Sequence, residues 1–574
     1  MAFFNSLEGC LRHAAAAAGV DQLSSTSWSD VLPVLPGTRF ARHRRQIAAR
    51  FPVVLSELCP SFRPTTVALA SQLVGGHWDL SPDPDSGGLR VIIRSPKGTA
   101  ALAALESEEA STVRSVSIQL QEDNTAENAA AQWLALHEAG NLHRLRALEV
   151  TGSGKIDAQI LRHIPRTVEE LALYNVVWDE EAYRLLGEFQ HLRSLTVLHR
   201  RFEMAKLPAL PLDTLLFENA AGPLDKASLA ALGQLSSLRR LQLRYAKLGK
   251  DAAGLGALTQ LEELDLGGNP IDDAIGVKLA ALPSLRYLGL GNTNVGRSTC
   301  EQVGASPALQ EVDLEQVRQG AIGALGASRS LLALRMDRVP FDRASLQELS
   351  RASTLRFLWA FGTAPGLLEL ASKLPALDAL HVRGGTVGPL ERPLSLGELD
   401  LSRTDASDEV LRSTFGPALR CASLGQVPIS PETLEATGAS LKKLEYLSLN
   451  ANGIGDRGFR ALGEATSLRT LFSIDNAIGP AGIDALAALP VLHWLSLQGA
   501  GVDGQGFVRL CATPSLRRIH VDGPTIDDAV VAELSATAPL REAHLEGHGL
   551  STAGVEALRS KWPDCLVRAA PPDH

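Results

Sequence analysis

From about residue 145 to residue 545 the chain repeats one phrase, L-x-x-L-x-L, once every 22 to 26 residues in most cases. Unsubstituted copies are Leu261, Leu264 and Leu266; Leu285, Leu288 and Leu290; Leu444, Leu447 and Leu449; and Leu492, Leu495 and Leu497. A period of this size has room for one strand and one return, too little to bury its own apolar face. Each copy must therefore pack on its neighbours, and the chain grows by stacking instead of around a closed core. Such an array has no obvious catalytic cleft. It offers a long surface, so the first expectation for function is binding.

Residues 261–283 show what one copy does. Leu264 and Leu266 alternate with Glu263 and Asp265, the period-two pattern of a strand buried on one face. Asn269 takes a turn position where its amide can bond unpaired backbone, and Ile271 closes that turn. Asp272 or Asp273 can cap the helix that follows. Val277, Leu279, Ala280 and Leu282 are expected on its inward side, with Pro283 ending it. Asparagine recurs at the turn only in a few copies (Asn269, Asn452 and Asn476), while Thr293, Thr404, Ala500 and Pro524 replace it elsewhere. No continuous asparagine ladder is expected.

First template positions run from Val113 and Leu145 to Leu540, which makes about 19 repeats. The gap after Val113 has room for a helix over residues 125–139. The copies at Leu192 and Leu377 are followed by short, proline-rich returns, which predicts extended or 3₁₀ segments there.

The 24-residue period, the I-x-D turn and the glycine- and alanine-rich helix resemble the ribonuclease-inhibitor-like class of leucine-rich repeats. The stretch from Leu558 through Trp562, Pro563 and Cys565 to Val567 resembles the half-repeat that ends many bacterial proteins of this class. The resemblance covers residues 110–568. It implies an α/β leucine-rich-repeat solenoid, a curved horseshoe with a parallel β-sheet on the concave face and helices on the convex face. For function it implies binding, because the class spans inhibitors, receptors, effectors and scaffolds.

Residues 1–110 lack the clean repeat and are expected to form a mainly helical N-terminal cap region of unknown role, with a β-like run at residues 89–93. The solenoid is placed at 111–568 and a short tail at 569–574. A net charge of −9 argues against a general nucleic-acid binder. The densest basic run, Arg39, Arg42, Arg44, Arg45 and Arg50, reads as a charged helix face. Residues 1–19 carry no basic leader, and no run approaches the ~18 apolar residues of a membrane span. Six widely spaced cysteines, without C-x-x-C, read as free thiols in a reducing cytoplasm.

Chemistry is not indicated. No phosphate-binding loop occurs. Cys565 resembles a ligase nucleophile only superficially, since that activity needs a module outside the repeats. His520 and His544 fall at equivalent positions of consecutive repeats, about one strand spacing (~5 Å) apart. Asp522 or Glu546 could add a third ligand, but two polar side chains on a ladder is the commoner arrangement. No cofactor and no metal are expected.

Strand positions 3, 5 and 7 of the template project from the sheet and map its surface. One copy stands out: Phe357, Trp359 and Phe361 place three rings in a row. Arg335 and Asp337 precede it, His381 and Arg383 follow it, and Glu311, Asp313 and Glu315 form an acidic row nearby. Rings bordered by polar groups are what binding hot spots look like. The other reading is that a loop covers them. A second group is Tyr446, Phe472 and Trp494, with Arg518 and His520 beside it. Arg240, Gln242 and Arg244 make a basic row beside Glu263 and Asp265, expected to be mutually neutralised.

The sequence thus predicts a non-catalytic cytoplasmic protein that recognises another protein on its concave face, without specific nucleic-acid binding or membrane insertion. The alternative is an effector exported to a host or rival cell, with the N-terminal region carrying activity, adaptor function or a delivery signal.

Overall fold

The computed structural model describes residues 78–83, 88–93, 113–120 and 145–569, the last span with short interruptions of which 153–159 and 219–224 are the longest. Most of the expected helical cap, its basic run and the helix expected at 125–139 lie outside the described residues, as do residues 570–574. The described residues fall into two compact units, 78–352 and 353–569.

In the first unit the hairpin Trp78–Asp83 and Gly88–Ile93 is antiparallel, and Gly88–Ile93 then pairs in parallel with Val113–Leu120. From there every strand adds in parallel to its predecessor through Ala147–Gly152, Glu170–Tyr174 and onward to Glu263–Asp265, Tyr287–Gly289, Glu311–Asp313 and Ala333–Arg335. The second unit repeats the scheme from Phe357–Phe361 and Ala379–Arg383 to Arg518–Asp522, Glu542–Glu546 and Leu566–Ala569. Helical returns alternate with the strands. Each unit is thus a leucine-rich-repeat array.

The core is the set of template leucines. The first position of every copy from Leu145 to Leu540 is at most 6 % exposed. Truncating one of them to alanine costs about 2–5 kcal/mol. The short returns come out as expected. Met204–Lys206 is a 3₁₀ turn followed by extended chain, and no helix lies between Arg383 and Glu398 among the described residues. Two further returns, Lys250–Ala257 and Ala321–Ala327, are also 3₁₀. At the second, a Cβ on Gly326 would stand 2.0 Å from the Glu348 carbonyl oxygen, so that return packs backbone against backbone.

Turn asparagines tie neighbouring copies together. Asn269 accepts from the amides of Ala246 and Leu248 at 3.0 Å and donates to the carbonyls of Leu243 and Leu266 at 2.7 and 2.8 Å. Asn476 does the same for Asn452 and Gly453. Where threonine replaces asparagine the reach is shorter: Thr293 and Thr404 donate only to carbonyls of their own turn, Leu290 and Leu401.

The helix Asp273–Ala280 is capped by Asp272, which accepts from the Ile275 amide. Its buried residues are Ile275, Gly276, Leu279 and Ala280, and Val277 is only half-buried. The expectation for Val277 is therefore corrected: the helix starts at Asp273, and each residue turns the inward direction by ~100°.

Candidate functional site

On the face of the second unit's sheet away from the helices, Tyr446, Phe472 and Trp494 come together. Register sets Tyr446 opposite Thr470 and Trp494 opposite that same Thr470, while Phe472 lies between Ser448 and Ser496. These small neighbours leave room for the rings to lean over. Tyr446 and Phe472 have centroids 5.9 Å apart, and Phe472 meets Trp494 edge-on at 4.6 Å. Arg518 lies 4.2 Å over the Trp494 ring. Glu542 holds Arg518 at 3.1 Å and Arg568 at 3.3 Å. The rings pack on one another across strands, and Tyr446 and Phe472 are half-buried while Trp494 is buried.

The row expected to be most prominent is different. Phe357 and Trp359 are each 1 % exposed, and only Phe361 is half-buried. Phe357 stacks on Trp359 at 6.0 Å, Trp359 packs against His381 at 5.9 Å, and the Arg383 guanidinium lies 5.9 Å from the Phe361 ring. The expectation of three water-facing anchors is corrected for Phe357 and Trp359. Alternation reports which face of a sheet a residue is on, not whether that face meets water. His381 is likewise buried, with Nε2 3.1 Å from Glu398 and Nδ1 3.8 Å from Asp400, and Arg383 bonds Asp400 at 2.6 Å. Glu398 and Asp400 were not singled out in the sequence. Their signal was present, since they are acids in register with the strand that carries His381 and Arg383.

In the first unit the acidic row is not a set of free charges. Asp313 is buried and lies 3.5 Å from Arg335, which bonds Asp337 at 2.5 and 2.7 Å. Asp265 lies 3.7 Å from Arg244. Burial pushes the Asp313 carboxyl up to about 7, although Arg335 works against the shift. The expectation that Asp313 presents a charge to a partner is corrected. Glu311 and Glu315 are half-buried. Arg240 pairs with Asp213 at 3.3 Å and Arg244 with Asp265, so the basic row is neutralised as expected. Tyr245, which alternation does not mark, is the exposed large ring among the described residues of this unit, at 42 %. It sits just past the strand, outside the alternating positions.

His520 and His544 stack in register with centroids 4.1 Å apart and planes at 15°. Their Nε2 atoms lie 3.3 and 3.4 Å from one oxygen of Glu546. Gln498 donates to the other oxygen at 2.9 Å. Burial, then the neighbouring His544, lower the His520 pKa to about 4, and burial lowers that of His544. Asp522, the other possible ligand, instead accepts from the Gly499 amide at 2.5 Å.

Cys300, Cys421, Cys511 and Cys565 are free and buried. Burial pushes the thiols of Cys300 and Cys565 up to about 12. At neutral pH neither is a thiolate, and the thiolate is the nucleophilic form. No helix among the described residues is long and apolar enough to cross a membrane.

A family model agrees with the repeat reading. The family described as "Leucine Rich repeat" matches residues 257–280 and 440–463. No curated protein matches the chain. A solved leucine-rich-repeat protein from Leptospira interrogans is similar at 20 % identity over 67 % of this chain and 92 % of its own, with a TM-score of 0.43.

Proposed function

We propose that this leucine-rich-repeat chain is a non-catalytic recognition protein that binds another protein on the open sheet face of its second unit, around Tyr446, Phe472, Trp494 and Arg518. The observation that carries the reading is the ring cluster itself. Half-buried Tyr446 packs on half-buried Phe472, Phe472 meets the buried Trp494 edge-on, and the Arg518 guanidinium lies over that tryptophan. Large rigid rings with little conformational freedom left to lose, bordered by Arg518, Glu542 and His520, have the composition and setting of interface hot spots. Phe357 and Trp359 are left out of this surface because they are buried.

The raised thiol pKa values of Cys300 and Cys565 support a non-catalytic role. The free, buried cysteines support a reducing, cytoplasmic setting. Helices in most returns, such as Arg297–Ala305 and Pro480–Ala487, support the ribonuclease-inhibitor-like class.

The test is site-specific photo-crosslinking with a benzophenone amino acid in place of Phe472, against the same group in place of Gln505 on the helix Gly504–Cys511. The reading expects a discrete adduct from position 472 that excess unlabelled protein suppresses and that position 505 does not give. Identical adduct patterns from the two positions would overturn it.

A further inference from the structure

We propose that His520, His544 and Glu546 form a binding site for a divalent transition-metal ion of the zinc kind. This revises the expectation from sequence, which had no means of telling whether the side chains converge. It does not depend on the ring cluster.

Three donor atoms lie close together. The two imidazoles stand on adjacent parallel strands in register, and their Nε2 atoms face the same carboxylate oxygen at 3.3 and 3.4 Å. One ligand atom from each of the three residues lies within 4.8 Å of the others. Zinc takes nitrogen and oxygen donors at about 2.0–2.2 Å, which sets tetrahedral donors ~3.3 Å apart. The rings are stacked with planes 15° apart, so closing the set onto one ion requires them to tilt apart until their Nε2 lone pairs converge. The arrangement is not a random acidic patch, since two of its three members are imidazoles, the donors that suit zinc, copper and nickel.

The surroundings hold the set in place. Gln498 fixes the far oxygen of Glu546, leaving the near one turned to the imidazoles, which is the outer-shell support that ligating carboxylates have. The imidazole side chains are 20 % and 35 % exposed and Glu546 is 48 % exposed, so an ion from solvent can reach them. Arg518 and Arg568 are the nearby cations, and both are bound to Glu542. Three protein donors leave a coordination position for an exchangeable fourth ligand.

The experiment is titration of the full chain, stripped with chelator, with zinc chloride by calorimetry and with cobalt chloride by visible absorption. The expected result is one ion per chain at this site, with cobalt bands of low coordination number. Affinity should fall at least tenfold in His544→Ala and in Glu546→Gln, and about 10- to 100-fold in Gln498→Ala, which removes only a supporting contact. The Glu546→Gln variant keeps the shape of a side chain that is 48 % exposed, so its loss of binding is not a loss of fold. Absence of uptake by the wild-type chain, or uptake unchanged in the His520→Ala/His544→Ala double variant, overturns the proposal.

Discussion

The carboxylate of Asp273 caps a helix that is not its own: one oxygen accepts from the Thr299 amide at 3.0 Å and from the Thr299 hydroxyl at 2.6 Å, 26 residues further along the chain. The same oxygen accepts from the Gly296 amide at 2.8 Å. Asp456 serves Gly479 and Gly482 in the same way, and Asp528 serves Ser551. Helix starts with glycine at the cap position, which have no side chain to satisfy their own amides, are completed by the preceding repeat. Neighbouring copies are therefore joined by hydrogen bonds on the helical side as well as by the sheet.

Removing that carboxylate should loosen the next helix. Asp273→Ala is expected to cost about 1–2 kcal/mol, the range of a lost cap, read as faster amide exchange in Arg297–Ala305. Burial works to raise the Asp273 pKa, but the Thr299 hydroxyl and the two amides outweigh it, and the group lies below its ordinary value. A depressed carboxyl stabilises above its unfolded pKa and loses that contribution as pH falls through the folded one. The difference between wild type and variant should be full at pH 7 and shrink below about pH 4. A difference constant from pH 7 to pH 2 would show that the cap is not ionic.

Close approach of these helices makes certain glycines irreplaceable. A Cβ on Gly482 would stand 2.6 Å from Cβ of Phe459 and 2.9 Å from the Asp456 carboxylate, whereas one on Gly233 meets nothing within 4 Å. Gly482→Ala is expected to destabilise by about 1–3 kcal/mol. Gly233→Ala, within the helix Lys226–Gln234, should stabilise by up to about 1 kcal/mol. Chemical denaturation of the two variants decides the matter. Equal effects would mean that helix propensity outweighs packing.

The buried charges of the first unit make a prediction of opposite sign in pH. Asp265, Asp313 and Asp337 share a face with Arg244 and Arg335, so carboxylates outnumber guanidiniums and one of them does better with its proton on. With its pKa raised by burial to about 7, Asp313 contributes stability that is full below about pH 4 and is lost as pH rises through 7. Asp313→Asn should therefore melt higher than wild type at pH 8 and close to it at pH 4. A variant less stable at pH 8 would contradict the raised value.

The strands were legible in the sequence because each template leucine answers to a single demand, burial against the neighbouring copy. Every first position from Leu145 to Leu540 meets it. The cap that Asp272 gives its own helix was legible, but those between copies were not, because Asp273 and Thr299 are far apart in sequence and nothing local marks them as partners. Nor was the exposure of the sheet face. Phe357 and Trp359 occupy outward positions by alternation and are buried, whereas Tyr446 and Phe472, read from the same pattern, are half-buried. The pairing of His520 with His544 was readable from register, but the approach of Glu546 depends on a side-chain rotamer that spacing does not encode.

The central claim is that the ring cluster of the second unit is the contact surface. Its most direct test is the affinity of the protein crosslinked from position 472 for wild type and for the Tyr446→Ser/Phe472→Ser variant, with melting followed in parallel. Two hot-spot rings at about 1 kcal/mol or more each predict a loss of roughly 30-fold or greater, read at a temperature where the variant is still folded. An affinity within twofold of wild type, in a variant that melts normally, would contradict the account.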